Sequence, residues 1–380
     1  MNQRSYLDYN ATAPLRPEVR EVFAAALALY GNPSSVHAEG RAARGAIEAA
    51  RAKVAGLVGA RPEDVIFTSG GTEANALALA AQAGEAWHCY MSAVEHPSVL
   101  SGGRFYPETT TRIPVTPDGV VDLEILAREL AKHHLGGWRP FVSLMAANNE
   151  TGAIQPVAET SKIVHSASGL FHTDAVQAAG RIKLDMAALG ADMLSLSAHK
   201  LGGPKGVGAL VLGNGASVEP LVKGGAQEGR RRAGTENVAG IVGFGVAAEL
   251  AASDLAKMGT IATLRDELEK GALTIAPDAI VLAARVKRLP NTTCIAVPGA
   301  KAQTLVIGLD LAGVAVSSGS ACSSGKVEAS HVLSAMGVPE EIAQGAIRVS
   351  LGFATERADI ENFLKAFDEL VKRLRPKVAA

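Results

Sequence analysis

Residues 170–210, LFHTDAVQAAGRIKLDMAALGADMLSLSAHKLGGPKGVGAL, bring an acid and an amine to the ends of two apolar runs. The first run, 170–173, ends on Asp174, and the second, 193–196, ends at Ser197, His199 and Lys200. Open α/β sheets keep their chemistry at such strand ends. A lysine is ordinarily a solvated surface charge, but this one follows a buried strand and precedes GGPKGVG, where side-chain bulk has been removed. Gln177 follows Asp174 by one helical turn, so it can face the same site.

The pair suits pyridoxal phosphate (PLP), whose aldehyde needs a lysine for a Schiff base and whose ring nitrogen needs a carboxylate to stay protonated. SGGTEAN at 69–75 sets Gly71 and Thr72 between a strand and a helix start, where N–H groups and the helix dipole can cradle an anion. No GxxxxGK[ST] occurs, and no GxGxxG follows a strand with the right acidic partner, so a single phosphate fits better than a dinucleotide. His96 ends an apolar run, and its flat imidazole could stack on an aromatic cofactor or move protons near neutral pH. Asn149 in MAANNETG ends another strand, with an amide able to bond a cofactor oxygen or a substrate carboxylate. Arg348 in AIRVSLG offers a fork suited to a carboxylate, although alone it would more often be a structural ion pair. Cys322 lies in SSGSACSSGK without apolar neighbours to pack on, and reads as an exposed thiol whose thiolate could act as a nucleophile. Cys89 and Cys294 read instead as small core hydrophobes.

The elements that must position these groups follow from periodicity. Strands at 65–68, 89–93, 141–146, 169–173 and 193–196 alternate with helices at 41–58, from Thr72, after His96 and from Val157, which predicts a parallel sheet with crossover helices. Residues 239–274 read as largely helical, leading into a smaller α/β unit with strands at 291–297, 315–317 and 346–350. The 380 residues, 48% hydrophobic, allow a large core and two domains. We place the large domain at 12–255 and the small one at 1–11 with 256–380, the latter carrying the Cys322 loop at about 317–327. A net charge of −1 argues against partners held by bulk electrostatics, nucleic acid or a membrane surface. No basic, apolar leader precedes the first strand, and no apolar run approaches the roughly 18 residues of a membrane span. Three cysteines, widely spaced, exclude a CxxC zinc site and suit a reducing, cytoplasmic compartment. The loop GGAQEGRRRAGTENVAG at 224–240 is unusually basic and could reach across a dimer interface, with Thr235 able to bond a phosphate.

Taken in order, YLDYNATA, GNPSSVH, FTSGGTEAN, EHPSV, ANNETG, FHTDAVQ, SAHKLGGPKGVG, RRAGTENV, SSGSACSSG and IRVSLG make the chain resemble the cysteine desulfurases of the NifS/IscS type. Those enzymes belong to the PLP-dependent, class V aminotransferase-like family of fold type I. The resemblance implies a large domain with a mostly parallel seven-stranded sheet flanked by helices, plus a smaller α/β C-terminal domain. It implies that Lys200 carries PLP as a Schiff base and then serves as the base at Cα, that Asp174 pairs with the ring nitrogen, and that His96 stacks on the ring. Gln177 and Asn149 would bond the phenolic oxygen, with Asn149 also near the substrate carboxylate. Gly71, Thr72, Ser197 and His199 would hold the phosphate, together with Thr235 from a partner subunit of a homodimer. Arg348 would bind the carboxylate of L-cysteine, and Cys322 would take its sulfur as a persulfide. In this family the acceptor is commonly an iron–sulfur scaffold, where the same cysteine can transiently contact iron of the nascent cluster. The chain departs from the family pattern at ATAP, EASHV and FATERADIE, none of them a named catalytic position. A selenocysteine lyase or a class V aminotransferase is the alternative, and an aminotransferase would have no use for Cys322.

Overall fold

The computed structural model describes residues 4–80, 87–135, 137–213, 215–318 and 330–374, with the side chains of 133–135 left aside. Twelve strands are described: β1 Ser5–Tyr6, β2 Val65–Thr68, β3 Trp87–Ser92, β4 Thr110–Ile113, β5 Arg139–Ser143, β6 Leu170–Asp174, β7 Met193–Ser197, β8 Gly208–Leu212, β9 Ile280–Val281, β10 Thr292–Ala296, β11 Val314–Ala315 and β12 Ala346–Ser350. Seven of them form one sheet in the order β2-β8-β7-β6-β5-β3-β4. Only β8 runs against the rest, pairing antiparallel with both β2 and β7. The sheet is therefore mostly parallel, as the alternation of elements predicts. β2, β3, β7 and β8 are buried at every residue, which is why they read as continuous apolar runs instead of alternating ones.

Helices cover both faces. On one, Ala38–Leu57 and Val238–Asp254 pack together over Phe67, Leu194 and Val211. Their approach is close enough that a Cβ on Gly245 would come 2.7 Å from the Ala50 backbone. On the other face Gly71–Ala80 buries Leu77 and Leu79 against Met91, Phe141 and Leu210. The helical stretch 238–275 has, alone among the described residues, the length and apolarity of a membrane span. It reaches this although Asp, Glu, Arg and Lys interrupt the stretch, and its first part is a core helix in which Phe244, Ala247 and Ala248 are fully buried.

A second core gathers Leu7, Leu264, Leu268, Ile295, Leu305, Ile347, Phe363 and Phe367. Its strands form an antiparallel sheet, β12-β10-β9. The N-terminal β1 pairs with β11 here, far along the chain from the sheet that follows it in sequence. A third cluster bridges the two bodies, with Val94 and Met145 packing on Cys294, Val332 and Met336. The chain leaves β3 outward to β4 and returns on the other side as β5, so a topological switch point lies at the C-terminal ends of β3 and β5. Ligands of open α/β sheets sit at such points.

Candidate active site

One cavity of about 230 Å³ opens at these strand ends, lined by Gly71, Thr72, Asn75, His96, Asn149, Asp174, Gln177, Ser197, His199 and Lys200, with Ser98, Met145, Ala147 and Val176. Each element contributes its carboxyl end: β2 leads into Gly71, β3 to His96, β5 to Asn149, β6 to Asp174, and β7 to Ser197 and Lys200.

Asp174 is held from both sides. Its Oδ1 accepts from the Val176 backbone N–H at 2.9 Å and its Oδ2 from the Asn75 amide at 2.7 Å. His96 is the N-cap of the short helix Pro97–Leu100, its Nδ1 accepting from the Ser98 N–H at 3.1 Å. That bond needs an unprotonated Nδ1, so the neutral ring carries its hydrogen on Nε2. Burial, with the nearby Lys200 charge, pushes the His96 pKa down, against the pull of Asp174. His199 is pushed down to about 4 by burial and by Lys200 and Lys205, and its Nδ1 lies 3.2 Å from Thr12 Oγ1.

Lys200 ends a 3₁₀ turn, Ala198–Lys200, and donates to the carbonyls of Asn10 at 2.5 Å and Ala11 at 2.8 Å. Burial lowers its pKa to about 7, helped by the cations Arg348 and Arg181 and opposed by Asp8 and Asp174. Near neutral pH a large share of this amine is thus unprotonated, as a nucleophile or base must be. Arg348 is buried on β12, with Nη2 2.7 Å from Asp8 Oδ1 and Nη1 donating to the Asn149 carbonyl at 3.1 Å. The ion pair expected of an isolated arginine is present, and the Nε is buried without a partner. Gln177 faces the cavity from a turn, not from the helix that its spacing suggests, because the chain after Asp174 runs through successive turns.

Two of the predicted residues that are described, Thr235 and Arg348, do not line this cavity. Thr235 sits on an exposed loop and lines a separate cavity of about 190 Å³ with Thr68, Ser69 and Arg232. Cys322, with the iron contact expected of it, falls outside the described residues. Among the described residues no group of three or more His, Cys, Asp or Glu could hold a metal ion. Cys89 and Cys294 are buried, and burial pushes both thiols up, Cys294 to about 12, so they act as core hydrophobes.

The residues that sequence reasoning missed are the ones that hold the site. Asn10 is buried and joins both bodies: its carbonyl accepts from Lys200 and from Gln177 Nε2 (3.0 Å), while its amide donates to Thr292 Oγ1 (2.9 Å) and the Asn149 carbonyl (3.1 Å). Its position inside YLDYNATA was the available signal. Asn75 orients Asp174, and its place one turn into the helix after SGG was legible in retrospect. Glu95 and Glu150, next to His96 and Asn149, are both buried carboxyls whose pKa values burial raises. Glu150 accepts from Ser330 Oγ at 2.6 Å, and the Glu95 carbonyl lies 2.9 Å from His331 Nε2. Ser330 and His331 are thereby pinned beside the site.

A doubly covered parallel sheet with a lysine, a buried carboxylate and a helix start around one switch-point cavity is the arrangement of a PLP-dependent transferase. Residues 5–363 match the family model Aminotransferase class-V. Over 384 residues the chain is 43% identical to cysteine desulfurase IscS of Dictyoglomus turgidum, covering 99% of this chain and 96% of that one. It is 46% identical to a cysteine desulfurase of Cereibacter sphaeroides, covering 98% and 97%. The solved NifS-like protein from Rickettsia africae superposes with a TM-score of 0.89 at 38% identity, covering 97% of this chain and all of that one. The chain belongs to the cysteine desulfurases of the class V aminotransferase family.

Proposed function

We propose that this enzyme uses PLP to remove the sulfur of L-cysteine, giving L-alanine and a persulfide on Cys322. The observation that carries the proposal is the convergence of Lys200, Asp174 and the Gly71–Thr72 helix start in one cavity. The residues fit the cofactor. A Cβ on Gly71 would come 2.9 Å from Val176 Cγ2 and 3.4 Å from Ser197 Cβ, so glycine keeps the helix start clear for a phosphate. Gly71, Thr72, Ser197 and His199 would hold that phosphate, with Thr235 of the partner subunit in a homodimer. Asp174, fixed by two N–H donors, would meet the ring nitrogen, His96 the ring face, and Gln177 with Asn149 the phenolic oxygen. When bound, PLP supplies an electron sink for the charge left at Cα.

The chain's own groups do the rest. Arg348 and Asn149 orient the substrate carboxylate. Lys200, largely neutral above about pH 7, can take the Cα proton. His96 offers the Nε2 hydrogen of its neutral ring for proton transfer at the substrate. The Cys322 thiolate attacks the substrate sulfur; the C–S bond breaks with its electron pair left on Cβ, which takes up a proton, and Lys200 returns the proton it took to Cα, so that alanine departs. The persulfide passes to an acceptor, an iron–sulfur scaffold or another sulfur carrier, in the cytoplasm. We assign the cofactor half of the site to residues 12–255 and the cysteine half to 1–11 with 256–380.

The test is sulfide and alanine release from L-cysteine by the purified protein and by Cys322→Ala. Release by the wild type, lost in a variant that keeps the yellow cofactor, is expected. Equal release by both would assign the chemistry to a lyase or aminotransferase site without a sulfur-carrying thiol.

A further inference from the structure

Arg181 carries a guanidinium that the mechanism above does not use. It is buried, and among the described residues no carboxylate pairs with it. Its Nη1 donates to the carbonyl of Gln177 at 2.7 Å and also to the side-chain Oε1 of Gln177, while Nη2 reaches the Tyr9 carbonyl at 3.5 Å. A buried, unpaired cation is normally avoided, and its retention beside a functional cavity asks for a reason. The contacts supply two. An Arg fork can only donate, so it fixes Oε1 as the acceptor end of Gln177 and turns the NH₂ outward, where it now donates to the Asn10 carbonyl beside Lys200. The fork also adds a positive charge to the cluster around that lysine: Arg181 lines, with Lys200, a small cavity behind the site.

We propose that Arg181 is a positioning residue of the active site, holding the Gln177 amide with its NH₂ on the Asn10 carbonyl that also receives Lys200. The proposal rests on the reading of Lys200 as the reactive amine. The charged groups around Lys200 are Arg181 and Arg348, which oppose its protonation, Asp8 and Asp174, which favour it, and His96 and His199, both held down by burial. The Arg16–Asp254 pair, 2.7 Å apart in the wall of the same small cavity, largely cancels itself. Burial shifts Lys200 in the same direction and is the largest cause; the charge of Arg181 is the part a substitution can remove.

The experiment titrates Lys200 directly in the PLP-free protein, by the pH dependence of its trace labelling with acetic anhydride, followed by peptide mapping. The rate at which the same protein takes up PLP, read by its yellow band, is measured alongside. Arg181→Met removes charge and donors; Arg181→Gln removes the charge and keeps one donor for Gln177 Oε1. Wild-type labelling is expected to have its midpoint near pH 7. Both variants should raise that midpoint by on the order of one pH unit, and Arg181→Met alone should also slow PLP uptake at a pH where Lys200 is fully neutral. Removing a buried unpaired cation relieves an unfavourable charge, so both variants are expected to fold. A midpoint that does not move in a folded variant, or a wild-type midpoint at the ordinary lysine value of about 10, overturns the inference. Normal titration shifts without any PLP uptake would instead refute the cofactor assignment.

Discussion

Glu228 is a buried carboxylate outside the cavity whose loss the structure makes costly. Its carboxylate meets Arg51 in a two-pronged pair, Nη1–Oε2 2.7 Å and Nη2–Oε1 2.9 Å, and Oε2 also accepts from the Phe67 N–H at 2.9 Å. Both side chains are buried, Arg51 at 9% exposure and Glu228 at 2%. The backbone works against the pair, since Glu228, Gly229 and Arg230 all stand in the left-handed region, at φ 46°, 63° and 67°. Each non-glycine residue there costs about 1–2 kcal/mol, and the buried pair is what holds them. Replacing Glu228 by Ala takes the two-pronged partner from a buried guanidinium, leaving it Glu48 Oε2 at 3.1 Å and the Val65 carbonyl, and leaves the Phe67 N–H unmet, so we expect a loss of about 3 kcal/mol. Glu228→Gly should lose about 1 kcal/mol less, because glycine adopts the same φ without strain. The double change Arg51→Met with Glu228→Leu leaves no stranded charge and should recover most of the loss. Urea unfolding of the PLP-free protein, followed by far-UV circular dichroism, measures all three. A single-variant loss below about 1 kcal/mol, the value of an exposed pair, would refute the reasoning. So would a double variant that loses the sum of its parts. The consequence reaches the site, because the strand that Glu228 clamps ends at Thr68, three residues before the Gly71 cradle.

Further outcomes follow from the same geometry. Gly71→Val should weaken PLP binding by about tenfold or more, measured by cofactor titration of the apoprotein, because a side chain there meets Val176 and Ser197; unchanged affinity would remove the phosphate from this helix start. Asn75→Leu should lower the turnover rate more than it raises KM, since it frees one oxygen of Asp174 while leaving the substrate's contacts alone. His172 is fully buried between Ser143 Oγ (2.8 Å) and Ser195 Oγ (2.9 Å), and burial lowers its pKa to about 4. Because the unfolded chain binds that proton first, near pH 6.5, and the folded one only near 4, stability is full above about pH 6.5 and falls as pH drops towards 4. The loss from this residue is about 2–3 kcal/mol between pH 7 and 4.5. Urea midpoints at the two pH values should differ less in His172→Gln than in the wild type, and an equal difference would mean that other groups carry the acid sensitivity.

How much of this was legible in the sequence depends on whether a residue announces itself locally. Asp174, Ser197 and Lys200 sit at the ends of apolar runs, and β2, β7 and β12 begin and end within a residue of where periodicity puts them. β8 gives no such cue of direction: GALVL reads like any buried strand, and only its pairing with β2 and β7 reveals that it runs backwards. The helix expected after His96 shrinks to four residues, because Gly102 and Gly103 take left-handed backbone and end it. Asn10 shows the deeper limit. An asparagine before Ala-Thr-Ala reads as a turn former, and its work appears only when β1 crosses to β11 and carries it between two bodies 190 residues apart in sequence from Lys200. There its carbonyl restrains the reactive amine and its amide reaches Thr292 of the second core. The two strand ends that read most clearly as chemistry are thus oriented by a residue whose motif marks it but whose reach across both bodies no local pattern shows. Asn10→Ala should accordingly cost more in rate than in stability, since it leaves both hydrophobic cores intact while releasing Lys200 and Gln177 from their common acceptor's fixed position. Turnover and urea midpoint measured on the same preparation decide it. A variant that loses stability in proportion to rate would show Asn10 to be mainly a structural bolt between the two bodies.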